Sequence, residues 1–431
     1  MVVFDGAARS PAYFFNEKVM CGLGRGLRET GVLNPEGKIA ALAALRRFMA
    51  LAVEMELGAL SAVATAAVRE ASDGPEFVKE VWLTCGARIK VATGREEANL
   101  SAQGVLLGWP EAEGVVCDIG GASMELARIS NGRITATETS PLGPLVLQDR
   151  SPAERADVID RHVGALVKAM GAGTPTRLFL VGGSWRAMAR IDMARRKYPL
   201  HVLHEYLMPP EAVMETAEWL IGQDPADLSS LTDTSNARLA LLPTACEVLV
   251  PLVRALDPGE VAISSYGLRE GLLYSHMSRA LRQRDPLLEA ARHMEDATAR
   301  FPGFGDALYH WLKPLYTDAE KAELRVIRAA CLLHDVSWRA HPDDRAEVCF
   351  ETATRANLGG LNHQERVALG VALLHRYKSG GRARKGEASL SVLSEGQLQA
   401  AVALGKTMRL GAMLSGGSAS LLRETWITLK G

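Results

Sequence analysis

The chain has 431 residues, 48% of them apolar, enough for two to four domains with sizeable cores and too much for a disordered chain. Forty-nine Lys and Arg against fifty Asp and Glu leave a net charge of −1, which argues against a globally basic nucleic-acid binder. Six cysteines without a C-x-x-C pair point to reduced, mostly buried thiols and a cytoplasmic home. No run reaches about 18 apolar residues, because Arg46, Arg47, Glu54, Glu56 and Arg69 interrupt the longest apolar region, so no membrane span is expected. The chain does not open on a basic stretch followed by an apolar core, so no secretion signal is expected.

In chain order, Val2-Val3-Phe4 reads as a strand and Asp5-Gly6 as the turn after it. The chain thus opens as though in the middle of a β-hairpin, with one strand lacking a partner. Residues 36–57 space their apolar side chains as a helix does. Leu60 to Val68 predicts a buried strand, Phe77 to Leu83 a helix and Arg88 to Ala92 a short strand. Thr93 and Glu96 have capping-box spacing, which starts a helix running to about Leu107. The alternation predicts a three-layer α/β domain over residues 1–112.

Residues 113–280 change character. Gly114 to Ile119 is a strand running into Gly120-Gly121, and Met124 to Ile129 is a second. Asn131-Gly132 is a two-residue hairpin signal, and Arg133 to Thr139 is a third strand. A helix opened by Ser151 and Glu154, a strand at Arg177–Val181, a helix from Ser184, a strand at Val261–Ser264 and a helix after Gly267 complete a ribonuclease-H-like unit. The opening hairpin matches the start of a first such unit, so the fold class is α/β with duplicated actin-like domains. Over 285–431 only helical patterns remain, at 318–340, 344–357, 362–378 and 395–413, which predicts an all-helical third domain. Arg376, Lys378, Arg382, Arg384 and Lys385 surround Gly380-Gly381 in a basic loop, either solvated surface or a polyanion contact.

Asp118 stands at a strand end where Gly120, Gly121 and Ala122 bring backbone N–H groups close to an anion and Ser123 adds a hydroxyl. An aspartate so placed can hold Mg²⁺ that bridges phosphate oxygens. Glu96 and Glu97 sit in the first turn of a helix, where the dipole favours acids; one of them could also deprotonate an attacking water, and Glu97 is the better base because Glu96 belongs to the cap. Thr65 and Arg69 can offer a hydroxyl and a guanidinium to phosphate. Gly182-Gly183 leads from strand to helix N-terminus and forms a second anion site, or serves close packing alone. Pro141-Leu142-Gly143 is a turn that could line the cleft. His334-Asp335 resembles the metal dyad of HD-type phosphohydrolases, against the plainer reading of a buried structural histidine.

Together and in this order, the runs at 64–71, 93–98, 118–126, 141–143, 181–187 and 267–271 resemble the exopolyphosphatase and guanosine pentaphosphate phosphatase (Ppx/GppA) family. The resemblance covers roughly residues 1–275, and the tail is similar to the HD-like C-terminal domain of longer members. It implies two actin-like domains around a cleft, Mg²⁺, and release of terminal phosphate from inorganic polyphosphate. By position it implies Glu97 as catalytic glutamate, Asp118 as metal ligand with Glu125 on the family's acidic position after the loop, and Gly120 to Ser123 as phosphate loop. Arg69 falls on the arginine of the A-T-A-A-V-R run. Members also open with a strand and a D-I-G-S-N-S loop ahead of a segment like Val2–Gly6. That loop is absent here, which implies either a start placed downstream of the natural one or a cradle reduced by half. Ala122 replaces a glycine, Met124 a hydroxyl residue and Ser184-Trp185 a Thr-Ala pair.

The expectation is therefore a cytoplasmic, Mg²⁺-dependent exopolyphosphatase acting without nucleic acid or membrane, with a homodimer formed through the helical domain. Alternatives are guanosine pentaphosphate hydrolysis, a phosphate or nucleotide sensor of the same fold, a sugar or acetate kinase of the fold, and a metal phosphodiesterase in the tail.

Overall fold

The computed structural model describes residues 1–431 except 59, 172, 379–386 and 429–431. Its centre is a six-stranded sheet built from β5 (Gly114–Ile119), β6 (Met124–Ser130), β7 (Arg133–Ser140), β8 (Arg177–Val181), β9 (Tyr206–Met208) and β10 (Glu260–Ser264), in the order β7-β6-β5-β8-β10-β9. β5, β6 and β7 form an antiparallel meander, and β8 and β10 continue β5 in parallel. Asn131 and Gly132 turn β6 into β7 with φ of 51° and 66°, the left-handed pair that a tight hairpin needs.

The pleat sorts the strands between two cores. Val115, Cys117, Ile119, Leu178 and Leu180 face one side, under the helices Pro152–Ala169, Gly183–Arg195, Pro210–Ile221 and Leu242–Leu256. Val116, Ala127, Ile129, Phe179, Val181 and Ala262 face the other, under the helices Gly94–Gly108 and Leu268–His276. Those last two helices cross at backbone contact: a Cβ on Gly271 would lie 1.7 Å from the Leu100 carbonyl oxygen, and one on Gly104 2.3 Å from that of Gly267. Segment Asn236–Leu256 is long and apolar enough to cross a membrane by length and composition, contrary to the expectation from unbroken runs. Here Leu242, Cys246, Leu249 and Leu252 of it are fully buried in the first core.

The first third departs from the expected single α/β sheet. It holds two separate two-stranded sheets: an antiparallel hairpin of β1 (Val2–Ala7) and β2 (Ser10–Asn16), and a parallel pair of β3 (Ala62–Ala64) and β4 (Ile89–Val91). The hairpin turns at Ala8-Arg9 rather than at Asp5-Gly6, and β1 pairs with the strand that follows it. Leu60 to Val68 is not one strand: Thr65 ends β3 and opens the helix Ala66–Glu70. Around β3 and β4 pack the helices Pro35–Glu54 and Gly74–Cys85, on a core that includes Leu33, Leu42, Phe77 and Val81.

Arg9, fully buried at the hairpin turn, donates to the carbonyls of Leu107 at 2.8 Å and Arg284 at 3.0 Å. It caps the C-terminal end of the 94–108 helix, where a cation is favoured. The tail is helical as expected, with the helices Pro286–Thr298, Phe304–Leu312, Lys321–Leu332, Arg345–Arg355, His363–Tyr377 and Glu395–Ser415 around Leu308, Leu332, Leu369 and Met408. The first two of these were not anticipated in the sequence. Cys117, Cys246, Cys331 and Cys349 are buried, whereas Cys21 and Cys85 are half-buried; all are free.

Where the central sheet meets the tail, Glu205 is buried with φ of 67°. Burial raises its carboxyl to about 7, with Trp109 and Arg177 pulling it down and Glu365 pushing it up. The folded state therefore binds more protons than the unfolded chain between about pH 4.5 and 7, so this group removes stability as pH rises through that window. The Glu205→Gln variant should gain on the parent across the same interval, by on the order of 3 kcal/mol at its top. Melting temperatures of the two chains measured at both ends of the window test this; parallel curves contradict it.

Candidate active site

On the face of the central sheet under the 94–108 helix, the apolar row of Val116, Ala127 and Val181 gives way to polar residues at one corner. β5 brings Asp118 there, and in the antiparallel register Glu125 of β6 lies directly opposite it. Thr139 of β7 lies opposite Glu125 in turn and donates to it at 3.0 Å. Directly opposed residues project to the same face, close enough to interact.

The helix starts above this corner. Thr93 and Glu96 form the capping box, with Thr93 N–H donating to Glu96 at 2.9 Å. Gly94 packs against β7 so closely that a Cβ would lie 2.4 Å from Thr139 Cγ2. Glu96 turns to the cap and to Lys90 at 2.6 Å, which holds its carboxyl near 2. Glu97 turns inward and is buried. One turn on, Ser101 donates to Asp118, so the helix reaches the sheet through its own side chain. Ser101 was not anticipated in the sequence; its i+4 spacing from Glu97 is the signal that marks the shared face.

Arg69 is turned to Glu97, forming an ion pair, and donates to the Ala92 carbonyl at 2.7 Å. Thr65 stands one turn before Arg69, its carbonyl accepting from Arg69 N–H at 3.1 Å, and lines an apolar cavity of about 300 Å³ with Val63, Ala64 and Phe77. Burial pushes the Glu97 carboxyl up, against the pull of Arg69. Burial also raises Asp118, against Ser101 and Arg186. Glu125 is pushed up to about 8, by burial first and then by the charges of Asp118 and Glu97.

The glycine loop closes on itself: Gly120 N–H donates to Ser123 O at 2.9 Å. The 141–145 turn buttresses it, with Leu145 N–H on Gly121 O at 2.9 Å and Gly143 N–H on Ala122 O at 3.3 Å. Gly143 cannot be larger, since a Cβ would stand 2.2 Å from the Ala122 carbonyl carbon. Ser123 is buried beside Glu125. The second glycine pair joins the same place: at Gly182, φ is 116° and a Cβ would lie 3.0 Å from Asp118 Oδ1. Gly183 lies under the guanidinium of Arg238, its Cβ position 2.7 Å from Cζ. Glu97, Asp118, Glu125, Ser123, Gly120, Gly121, Ala122 and Gly182-Gly183 therefore gather at one corner of the central sheet. Arg186, near Asp118, belongs to it and was not assigned from sequence.

In the tail, His334 and Asp335 follow the plainer of the two readings. Asp335 accepts from Arg300 at 2.8 and 2.6 Å and from Tyr377 at 2.9 Å, and His334 Nδ1 meets the Cys331 carbonyl at 2.9 Å. With Asp335 taken up by Arg300 and Tyr377 and His334 on a main-chain carbonyl, the pair is an internal ion-pair site. Of the basic loop, Arg382, Arg384 and Lys385 lie outside the described residues. Arg376 is buried over the Tyr377 ring, and Lys378 is 3.8 Å from Glu347.

The Ppx/GppA phosphatase family profile matches residues 2–280, and the exopolyphosphatase C-terminal profile residues 292–424. The retrograde regulation protein 2 of Saccharomyces cerevisiae is 24% identical over 356 residues, 73% of this chain and 58% of that one. Exopolyphosphatase 1 of Mycobacterium leprae is 27% identical over 273 residues, 57% of this chain and 78% of that one. A guanosine-5'-triphosphate,3'-diphosphate pyrophosphatase of Aeromonas hydrophila is 23% identical over 337 residues, 72% of this chain and 66% of that one. The match thus spans less than two thirds of the yeast and Aeromonas proteins. An exopolyphosphatase structure from Cytophaga hutchinsonii superposes with a TM-score of 0.58 at 21% identity, covering 64% of this chain and 92% of that one. The Aquifex aeolicus Ppx/GppA structure gives 0.56 at 18%, with the same coverage. Both share the actin-like fold of mixed α/β layers.

Replacing Arg69 with Ala removes the charge that holds the Glu97 carboxyl down, while Arg69→Lys keeps part of it. The acidic limb of the pH–rate profile for phosphate release should move to higher pH in the alanine variant and less in the lysine variant. An unmoved limb in both would separate Arg69 from the ionisation of Glu97.

Proposed function

Since the chain belongs to the Ppx/GppA phosphatase family, we propose that it is a phosphoanhydride hydrolase that releases the terminal phosphate of inorganic polyphosphate. The observation that carries this reading is the meeting of Glu97 and Asp118 over one sheet corner, with Ser101 of the Glu97 helix bonded to Asp118. A terminal phosphate there faces a buried carboxylate on one side and the glycine turns on the other.

Glu97, oriented by Arg69, takes the proton of the attacking water. N–H groups at the start of the 183–195 helix have no partner within it and are aimed at the anion, and Arg186 adds a positive charge beside Asp118. The donor set suits Mg²⁺: Asp118 and Glu125 are two opposed carboxylates, and this ion is commonly held by one or two carboxylates with substrate phosphates. Bound there, Mg²⁺ would neutralise charge on the phosphate oxygens. The reading places the protein in the cytoplasm. It also includes a homodimer, supported by the exposed Leu410, Met413 and Leu414 on the 395–415 helix.

Two relatives keep other readings in view. The Aeromonas name supports guanosine pentaphosphate as substrate, and the yeast name supports a regulatory role. Phosphate release from long polyphosphate and from the nucleotide, compared side by side, separates the first two. Removing the base with Glu97→Gln should lower kcat by roughly 10²–10⁴-fold with little change in KM. Turnover equal to the parent's would overturn the assignment, and binding without turnover in the parent would favour the regulatory reading.

A further inference from the structure

The hydroxyl of Ser101 points away from its own helix. Serines and threonines inside a helix commonly return the hydroxyl proton to a carbonyl one turn back. Thr84, Thr298, Thr354 and Thr407 do so here, each donating to the carbonyl four residues earlier. For Ser101 that carbonyl belongs to Glu97. Ser101 instead donates across to Asp118 Oδ2 on β5. It is buried on a face that otherwise carries Ala98, Ala102 and Val105 into the apolar core. A hydroxyl in that company needs a polar partner, whereas an alanine like its neighbours needs none.

Asp118 depends on that bond for its direction. The terminal torsion of an aspartate is broad, so the plane of the carboxylate follows its partners. Among the described residues the Asp118 side chain accepts no hydrogen bond other than that of Ser101. With Oδ2 tied to the helix, Oδ1 is turned to the 182–183 turn, where a Cβ on Gly182 would lie 3.0 Å from it. Glu125 stands opposite on β6 and is held in a similar way, by Thr139 at 3.0 Å. Ser101 is fixed in its place, because the close contacts of Gly94 with Thr139 and of Gly104 with Gly267 bracket it along the helix.

We infer that Ser101 is a positioning residue for a divalent cation at this corner: its hydroxyl holds one oxygen of Asp118 and so leaves the other, Oδ1, free for the ion. This rests on the hydrolase reading above and adds to it the residue that orients the ligand. Partners that fix the orientation of a metal ligand typically contribute about 10–100-fold to affinity. Because Ser101 lies one turn from Glu97 on the same helix face, one rod places both the base and the ligand of the cation.

The test is binding of Mn²⁺ to the full chain, followed by the paramagnetic resonance signal of the free ion; like Mg²⁺, Mn²⁺ suits carboxylate ligands. Ser101→Ala should raise the Mn²⁺ dissociation constant at least roughly tenfold, and Ser101→Thr, which keeps the hydroxyl, should stay within about threefold of the parent. Ser101→Cys keeps the volume and weakens the donor, so it should follow the alanine variant. In turnover, the Mg²⁺ concentration that gives half the maximal rate should rise in the same ranking, with KM for polyphosphate at saturating Mg²⁺ little changed. Parent-like Mn²⁺ affinity in Ser101→Ala, whatever its melting temperature, would make the bond merely structural and overturn the inference while leaving the hydrolase reading in place. So would parent-like affinity in Ser101→Cys, which assigns the loss to packing, or Ser101→Thr as weak as Ser101→Ala. Mn²⁺ held as tightly by Asp118→Asn as by the parent, or not held by the parent at all, would overturn the inference together with the cation site of the hydrolase reading.

Discussion

The site depends on how closely one helix can approach its neighbours. The 94–108 helix touches β7 through Gly94 and the 268–276 helix through Gly104 and Gly271, each at a distance that a Cβ would forbid. Three positions without side chains therefore fix its height above the sheet and its place along its axis. Glu97 and Ser101 are one turn apart, and a slip of one turn, about 5.4 Å, would carry the carboxylate off the Asp118–Glu125 corner. Close packing of this kind tolerates little adjustment, since interiors are already dense. What resembles a packing detail is thus the step that turns a capped helix and a hairpin into a site.

Three carboxylates at one corner raise the cost of ionising each other, and each has its own counterweight. Arg69 is spent on Glu97, Ser101 on Asp118, and Thr139 with Ser123 on Glu125. The cations that remain unmatched lie on the other side, along the 183–195 helix. The pocket is therefore polarised, with acids gathered under the 94–108 helix and bases beyond Gly182-Gly183. The proposed phosphate substrate would suit that polarity, with its oxygens toward the amides and the cations and its phosphorus toward the acids. Charge of one sign alone would bind without placing a base, or place a base without binding.

Local signals carried much of this arrangement. The capping boxes at Thr93 and Ser151, the Asn131-Gly132 turn and both glycine pairs are legible because their geometry is set within a few residues. From them the meander, the position of Asp118 and the inward turn of Glu97 follow. Less legible was whatever depends on distant partners. Arg69 carries no local sign that its guanidinium meets Glu97, because that partner lies 28 positions away. His334-Asp335 carries the letters of a metal dyad, but Arg300 and Tyr377, remote in sequence, take up the aspartate. The early strands misled because β3 is only three residues long and its apolar run continues into a helix.

The opening hairpin shows how far the constraint on the 94–108 helix extends. Arg9 at its turn binds the last carbonyls of that helix and the 282–284 carbonyls that lead into the tail. Tyr13 of the same hairpin donates to Glu270 at 2.9 Å, and Glu270 accepts from Gly267 N–H at 2.8 Å, at the crossing of the two close-packed helices. One end of the rod is thus held by the hairpin and the tail, and the other end carries Glu97. A rigid helix transmits a displacement at its C-terminus to its first turn almost undiminished. The hairpin therefore sets where Glu97 stands, and the tail takes part in that placement through the same arginine.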